Sequence, residues 1–140
     1  MPAEAVCTLT LEGRADLPCL ERVHDLVDEL WVRVPEVDPA DRMRFETALV
    51  EVAGNIVEHG GPQVRLRLWL QVHADRLEAQ FRDTGRAVDL SSSDGDVHEL
   101  AEDGRGLALA RATADEVVYE RTGHTNRWSV VKRRTRIVTN

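Results

Sequence analysis

The chain has 140 residues, a length typical of one domain that buries its core without metals or disulfides. Its composition is 42% hydrophobic and 31% charged, as in an ordinary soluble globular protein. The formal net charge of −7 argues against nucleic acid or an anionic membrane as the main partner, because phosphate groups attract basic surfaces.

The sequence also indicates a compartment. The first residues lack the basic region and apolar run of a signal peptide, and no apolar stretch is long enough to span a bilayer. The two cysteines, Cys7 and Cys19, form no CxxC motif and suit a reducing environment. We therefore expect a cytoplasmic protein.

The predicted elements begin with a strand over residues 6–12, where apolar and polar side chains alternate until Gly13. A helix with Asp16 as its N-cap then extends to about Val34. A second helix begins after Asp38, with Pro39 at its first position and an apolar stripe at Phe45, Leu49, Val52 and Ile56, and stops at Gly60-Gly61-Pro62.

The second half of the sequence predicts a hairpin of two alternating strands, over residues 63–72 and 76–83, followed by a long loop over 84–105. A third helix over 106–115 and two more strands over 117–119 and 128–131 complete the predicted elements. No repeat or second domain is present. The order predicts an α+β fold, a two-layer sandwich of one mixed, mostly antiparallel sheet with helices on one face, as a single domain over residues 1–140.

The first candidate motif is on the second predicted helix. Glu51, Asn55 and His59 are spaced i, i+4 and i+8, so they lie along one side of it. Gly54 and Asn55 weaken the helix, which is typical of a helix that makes room for a ligand. Asparagine oxygen and carboxylate also suit Mg²⁺. An ordinary solvated polar face is the alternative.

The second motif is Asp83-Thr84-Gly85, at the end of a predicted strand. The glycine permits a turn and a close approach of the backbone, and the carboxylate can accept a hydrogen bond from the exocyclic amine of a purine. A common Asx turn is the alternative interpretation.

The third motif is Asp103-Gly104-Arg105-Gly106-Leu107, where the long loop meets a helix. Its glycines free backbone amides to face a phosphate, the helix N-terminus adds a favourable dipole, and Arg105 can pair with phosphate oxygens. It is neither a P-loop nor a dinucleotide fingerprint. A flexible loop before a helix is the alternative.

Taken in order, E-x-x-x-N, D-x-G, a long loop and G-x-G-L resemble the ATP-binding domain shared by gyrase, heat-shock chaperone ATPases and histidine kinases. The amino-acid sequence of these motifs is most similar to that of the anti-sigma-factor serine/threonine kinases. The similar segments are EVAGNIVEH, FRDTGRAVD, GRGLALARATADEVVYE and NRWSVVKR, within residues 45–133.

The resemblance implies a role for each matching residue. Asn55 matches the residue that holds Mg²⁺ against the phosphates of ATP, and Glu51 the general base that activates the attacking hydroxyl. Asp83 matches the adenine-reading carboxylate and Gly85 its turn partner. Residues 86–103 match the ATP lid of the family. Its phosphate-facing hinge matches the residues that follow, Gly104, Arg105, Gly106 and Leu107. His59 is given no role.

Two departures from the wider family stand out. Arg86-Ala87 replace its second glycine after D-x-G, which favours the anti-sigma kinases over histidine kinases. The turn TGHTN is a poor match to a phosphate-binding Gly-Thr turn, so we leave it out of the predicted site.

The resemblance implies two partners, a sigma factor that is held inactive and an anti-anti-sigma (STAS-type) protein that is phosphorylated. Members of the family are often homodimers, and neither nucleic acid nor membrane is expected to bind directly. Three alternatives stay open: a regulatory module that binds ATP or a partner without transfer, a simple ATPase, and a chance coincidence of the three motifs.

Overall fold

The computed structural model describes residues 5–88 and 102–135, and side chains within 5–88 and 107–135. It contains five strands and three helices in the order β1, α1, α2, β2, β3, α3, β4 and β5. Their bounds are Cys7–Arg14, Leu17–Arg33, Pro39–His59, Arg65–Val72, Arg76–Asp83, Glu102–Thr113, Glu116–Thr122 and Thr125–Arg133.

The strands form one sheet in the order β1-β2-β3-β5-β4, and all of these neighbouring pairs are antiparallel. The predicted α+β class with a mostly antiparallel sheet is therefore confirmed. Strand β5 lies between β3 and β4, so the end of β3 is flanked by the start of β5. This register places Asp83 directly opposite Asn126.

The helix starts follow the predicted capping chemistry. Asp16 accepts a hydrogen bond from the backbone N–H of Cys19 at 2.9 Å, and Asp38 caps α2 through the N–H groups of Ala40 and Asp41. Both caps satisfy N–H groups that have no partner inside their helix. Helix α2 ends at His59 and Gly60 follows as its C-cap, as predicted.

The core lies between the helices and one face of the sheet, which we call the inner face. The predicted stripe of α2 is fully buried there, at Phe45, Leu49, Val52 and Ile56. Alternate residues of the central strands meet it, among them Leu68, Leu70, Ala79 and Phe81. The opposite, outer face carries the polar residues of the same strands, as their period of two requires.

Several predicted boundaries were wrong, and strands β4 and β5 extend beyond the predicted residues 117–119 and 128–131. Strand β1 continues through Gly13, because its backbone still pairs with Leu66 of β2. Helix α3 begins at Glu102, four residues before the predicted start at Gly106. Glycine is tolerated in a first helical turn, where the N–H groups have no intrahelical partner. Most of the predicted lid, residues 89–101, lies outside the described residues.

No helix within residues 5–88 and 102–135 has the length and apolar character needed to cross a membrane.

Candidate functional site

The end of β3 places a carboxylate inside the protein. Strand alternation points Asp83 to the inner face, where it is only 4% exposed. Its Oδ1 accepts hydrogen bonds from Gly85 N at 2.9 Å and Asn126 Nδ2 at 2.9 Å, and its Oδ2 accepts one from Trp128 Nε1 at 3.1 Å. These donors offset the cost of burying the charge. A carboxylate accepts about four hydrogen bonds, so about one position is left for a ligand donor.

Position 85 has no room for a side chain, so glycine is needed there. A Cβ at this position would lie 2.9 Å from Asp83 Oδ1, closer than real Cβ contacts allow. Its backbone angle is not the reason, since Gly123 has the only positive φ among residues 5–88 and 102–135. The close approach expected at Gly85 is present.

Asn126 joins the D-x-G turn to the sheet and was missed in the sequence. Besides Asp83, its Nδ2 donates to the carbonyl oxygens of Arg86 at 2.8 Å and Gly85 at 3.3 Å. Its Oδ1 accepts from Tyr119 Oη at 2.5 Å and Arg121 Nη1 at 2.8 Å. The sequence does contain a signal, because Asn126, Trp128 and Val130 occupy every second position of β5 and all three face inward. A polar residue there has to be hydrogen-bonded.

The β4–β5 hairpin also holds the chain just beyond Gly85. Val88 N donates to Tyr119 Oη at 3.0 Å, and Arg121 Nη1 donates to Gly85 O at 3.0 Å. These contacts tether residues 85–88 to the hairpin.

Asn55 faces the same site from α2. Its side chain is 5% exposed, and its Nδ2 has no hydrogen-bond partner among the described residues. A buried amide without a partner costs about 1–3 kcal/mol, which an acceptor on a ligand removes. The amide oxygen is a hard donor of the kind Mg²⁺ takes, and Mg²⁺ in nucleotide sites needs only one or two protein ligands beside phosphates. Asn55 therefore fits such a group.

Asn55 and Asp83 share one narrow cleft. Its volume is about 10 Å³, room for roughly one water molecule and far too little for a purine. A purine therefore needs a more open cleft than the structure has. The cleft is lined by Asn55, Ile56, His59, Gly60, Asp83, Gly85, Arg86, Val88, Asn126 and Trp128.

Glu51 does not line this cleft. It is half-buried one helical turn before Asn55, about 6 Å along the helix axis, and borders a groove of about 520 Å³ between α1 and α2. Its neighbours in that groove include Thr47, Val50 and Trp31. The structure thus places the predicted base next to the cleft, on a separate surface.

The third motif lies in the first turns of α3, which packs against α2. Gly104, Arg105 and Gly106 therefore have helical backbone, and the first turn of any helix offers N–H groups without intrahelical partners. Leu107 is buried in the core, where it helps to dock α3.

The family model of the histidine kinase-like ATPase domain matches residues 14–132 of the chain. The match contains Glu51, the Asn55–Asp83 cleft and the start of α3. No curated protein matches the chain at the level of sequence.

Solved structures with low sequence identity share the fold. The RsbU and RsbW domains of Rv1364c from Mycobacterium tuberculosis match with a TM-score of 0.66 and 18% identity, over 94% of this chain and 34% of that one. The catalytic domain of histidine kinase ThkA matches with a TM-score of 0.56 and 12% identity, over 89% of this chain and 97% of that one. The histidine kinase domain of a blue-light activated kinase from Erythrobacter litoralis EL346 matches with a TM-score of 0.50 and 17% identity, over 66% of this chain and 44% of that one. The chain thus spans about a third of the mycobacterial chain.

Proposed function

Because the chain belongs to the histidine kinase-like ATPase domain family, we propose that it binds Mg-ATP at the Asn55–Asp83 cleft and transfers the γ-phosphoryl group to a partner protein. The observation that carries the proposal is the pairing of two buried, incompletely bonded polar groups across one cleft. Asp83 keeps an acceptor position, and Asn55 keeps an unpaired amide.

At the adenine end, Asp83 accepts a hydrogen bond from the exocyclic amine of the base. Its other contacts, from Gly85, Asn126 and Trp128, hold the carboxylate in one orientation. A guanine would present a carbonyl oxygen at the corresponding place and leave the carboxylate facing another acceptor. The arrangement therefore favours adenine.

At the phosphate end, Asn55 and the first turn of α3 provide the binding groups. The backbone amides of the first turn of α3, among them that of Gly104, and the charge of Arg105 meet the phosphates, as a helix N-terminus favours. Mg²⁺, when bound beside Asn55, neutralises part of the phosphate charge.

For transfer, Glu51 acts as the general base. It takes the proton of the acceptor hydroxyl as that oxygen forms its bond to the γ-phosphorus. The bond from phosphorus to the bridging oxygen breaks, and ADP leaves with the electron pair. The position of Glu51 beside the α1–α2 groove lets a protein substrate approach from that side.

The proposed partners are supported by the resemblance of four sequence segments to the anti-sigma-factor kinases, and a chain with an RsbW domain shares the fold. We propose that the acceptor is a serine or threonine of a STAS-type anti-anti-sigma protein. The sequestered protein is then a sigma factor.

The binding step is tested by calorimetric titration with a non-hydrolysable ATP analogue, with and without Mg²⁺. We expect Asp83→Asn to lose binding and Asn55→Ala to lose the Mg²⁺ dependence. Asp25→Asn, which removes one exposed charge from α1, is the matched control. Failure of the folded wild type to bind at millimolar nucleotide refutes the proposal.

The transfer step is tested with radiolabelled ATP and the STAS-type proteins of the same organism. Glu51→Gln should abolish labelling of the acceptor while analogue binding stays within about twofold, because the base acts only in the chemical step. Equal labelling by wild type and variant eliminates Glu51 as the base.

A second function, ATP-dependent binding of a partner without transfer, is favoured by one observation. Glu51 borders a groove other than the cleft that holds Asn55 and Asp83. This alternative predicts analogue binding by the wild type and no labelling of any acceptor.

A further inference from the structure

The outer face of the sheet carries a row of arginines that the proposed function does not use. Arg67 of β2 lies directly opposite Arg82 of β3, and Arg82 directly opposite Arg127 of β5. We call these three residues the arginine row. All are exposed, and the register continues the row to Glu12 on β1 and Glu120 on β4.

The row costs stability in the isolated chain. Like charges directly opposite each other on neighbouring strands repel. In the part of the chain that the structure describes, the row has a single ion pair, Arg67 Nε to Glu12 Oε2 at 3.6 Å. Arg82 and Arg127 have no carboxylate within ion-pair distance among those residues. The row therefore concentrates positive charge on one face of a protein whose net charge is −7.

Two of the guanidinium groups are held in place by an aromatic ring. Arg67 and Arg82 lie over Trp69, at 4.9 Å and 5.2 Å from its ring centroid. Stacking on a ring leaves the in-plane N–H groups of arginine available for a carboxylate. Ordering these side chains before binding also reduces the entropy lost on association.

The surface beside the row is concave. A depression of about 260 Å³ is lined by all three arginines of the row, by Arg65, Thr84 and Thr125, and also by Glu12, Leu66 and Asp83. Its four arginines outnumber its two carboxylates. The Thr84 oxygen accepts a hydrogen bond from Arg65 N at 2.9 Å, which leaves its hydroxyl proton for a ligand. Guanidinium and hydroxyl donors together suit carboxylate oxygens.

We propose that the arginine row binds a short acidic segment of a partner protein. Neighbouring strands are about 4.8 Å apart, so the row spans about 10 Å, enough for two or three carboxylates. Glu12 and Glu120 bound it at both ends and repel a polyanion that extends further. The limited length favours an acidic peptide over a nucleic acid strand.

The test uses a fluorescein-labelled oligoglutamate peptide and fluorescence anisotropy at low and physiological salt. The triple variant Arg67→Gln/Arg82→Gln/Arg127→Gln should weaken binding at least ~10-fold. The control triple variant is Arg33→Gln/Arg44→Gln/Arg111→Gln, which changes exposed helical arginines and alters the net charge by the same amount. It should stay within about twofold of the wild type, because charges away from the row contribute only a screened field.

Several results overturn the proposal. Absence of peptide binding shows that the row does not bind acidic segments. Equal weakening by both triple variants shows that binding depends only on the overall charge of the protein. Tighter binding of an oligothymidylate than of the peptide assigns it to nucleic acid. Dimerisation of the wild type that the row variant abolishes, measured by sedimentation, assigns it to contacts between copies. If the row variant does not fold, Arg82→Gln alone replaces it, with an expected loss of roughly threefold.

Discussion

The Asn126–Asp83 hydrogen bond is the contact on which the geometry of the cleft depends, and Asn126→Asp tests it without changing side-chain shape. The variant replaces a donor by a carboxylate oxygen 2.9 Å from Asp83 Oδ1. Both residues are at most 4% exposed. Two carboxylates at that distance cannot both stay ionised in a buried site.

The expected loss of stability can be worked from the structure. A hydrogen bond to a charged group is lost, which costs about 1.5–3 kcal/mol. Repulsion between the carboxylates adds roughly 2–3 kcal/mol before the pair takes up a shared proton. We therefore expect the free energy of unfolding to fall by about 3.5–6 kcal/mol at pH 7, a large part of the total stability of a domain this size.

The loss of stability caused by Asn126→Asp should depend on pH. The variant pair binds a proton more tightly in the folded than in the unfolded chain, so the loss is greatest above the ordinary carboxyl pKa and shrinks as the pH falls. Urea denaturation at pH 7 and pH 5 measures it, with Gln63→Glu, an exposed change of the same charge, as control. Equal stability of the variant and the wild type at pH 7 would refute the hydrogen bond.

Three further predictions concern other parts of the chain. Gly54→Ala should raise the free energy of unfolding by about 0.5–1 kcal/mol in urea denaturation, because no atom lies within 4 Å of the added Cβ. Burial raises the pKa of the Cys19 thiol, so a thiol reagent should label half-buried Cys7 first, as peptide mapping would show. The Arg133 N–H lowers the pKa of Asp115, so its stabilisation is lost below about pH 4, and Asp115→Asn should flatten the acid limb of a stability profile.

Most of the fold could be predicted because local chemistry determines it. Asp16 and Asp38 cap helices where the sequence places them, and Gly60 follows α2. The alternation of residues 63–72 matches the two faces of β2. The start of α3 could not be predicted, because glycine signals a loop by propensity while packing against α2 favours helix.

The candidate site was predictable only in part. Asn55 and Asp83 lie in motifs with local signals, and the structure brings them to one cleft. Asn126 is 43 residues from Asp83 along the chain, and only the β3–β5 register makes them neighbours. The arginine row depends on the same register, since Arg67, Arg82 and Arg127 come from three separate strands.

The two proposals rest on opposite faces of β3. The proposed nucleotide site on the inner face relies on hydrogen bonds of Asp83, of Asn126 from β5 and of Asn55 from α2. The adjacent residue, Arg82, points outward into a cluster of positive charge. Asp83 also lines the depression beside the row, but it shares no hydrogen-bond or ion-pair partner with Arg82 among the described residues, so their substitutions should be nearly additive. The arginine-row variant should therefore keep analogue binding, and Asp83→Asn should keep peptide binding, so failure of one proposal leaves the other intact.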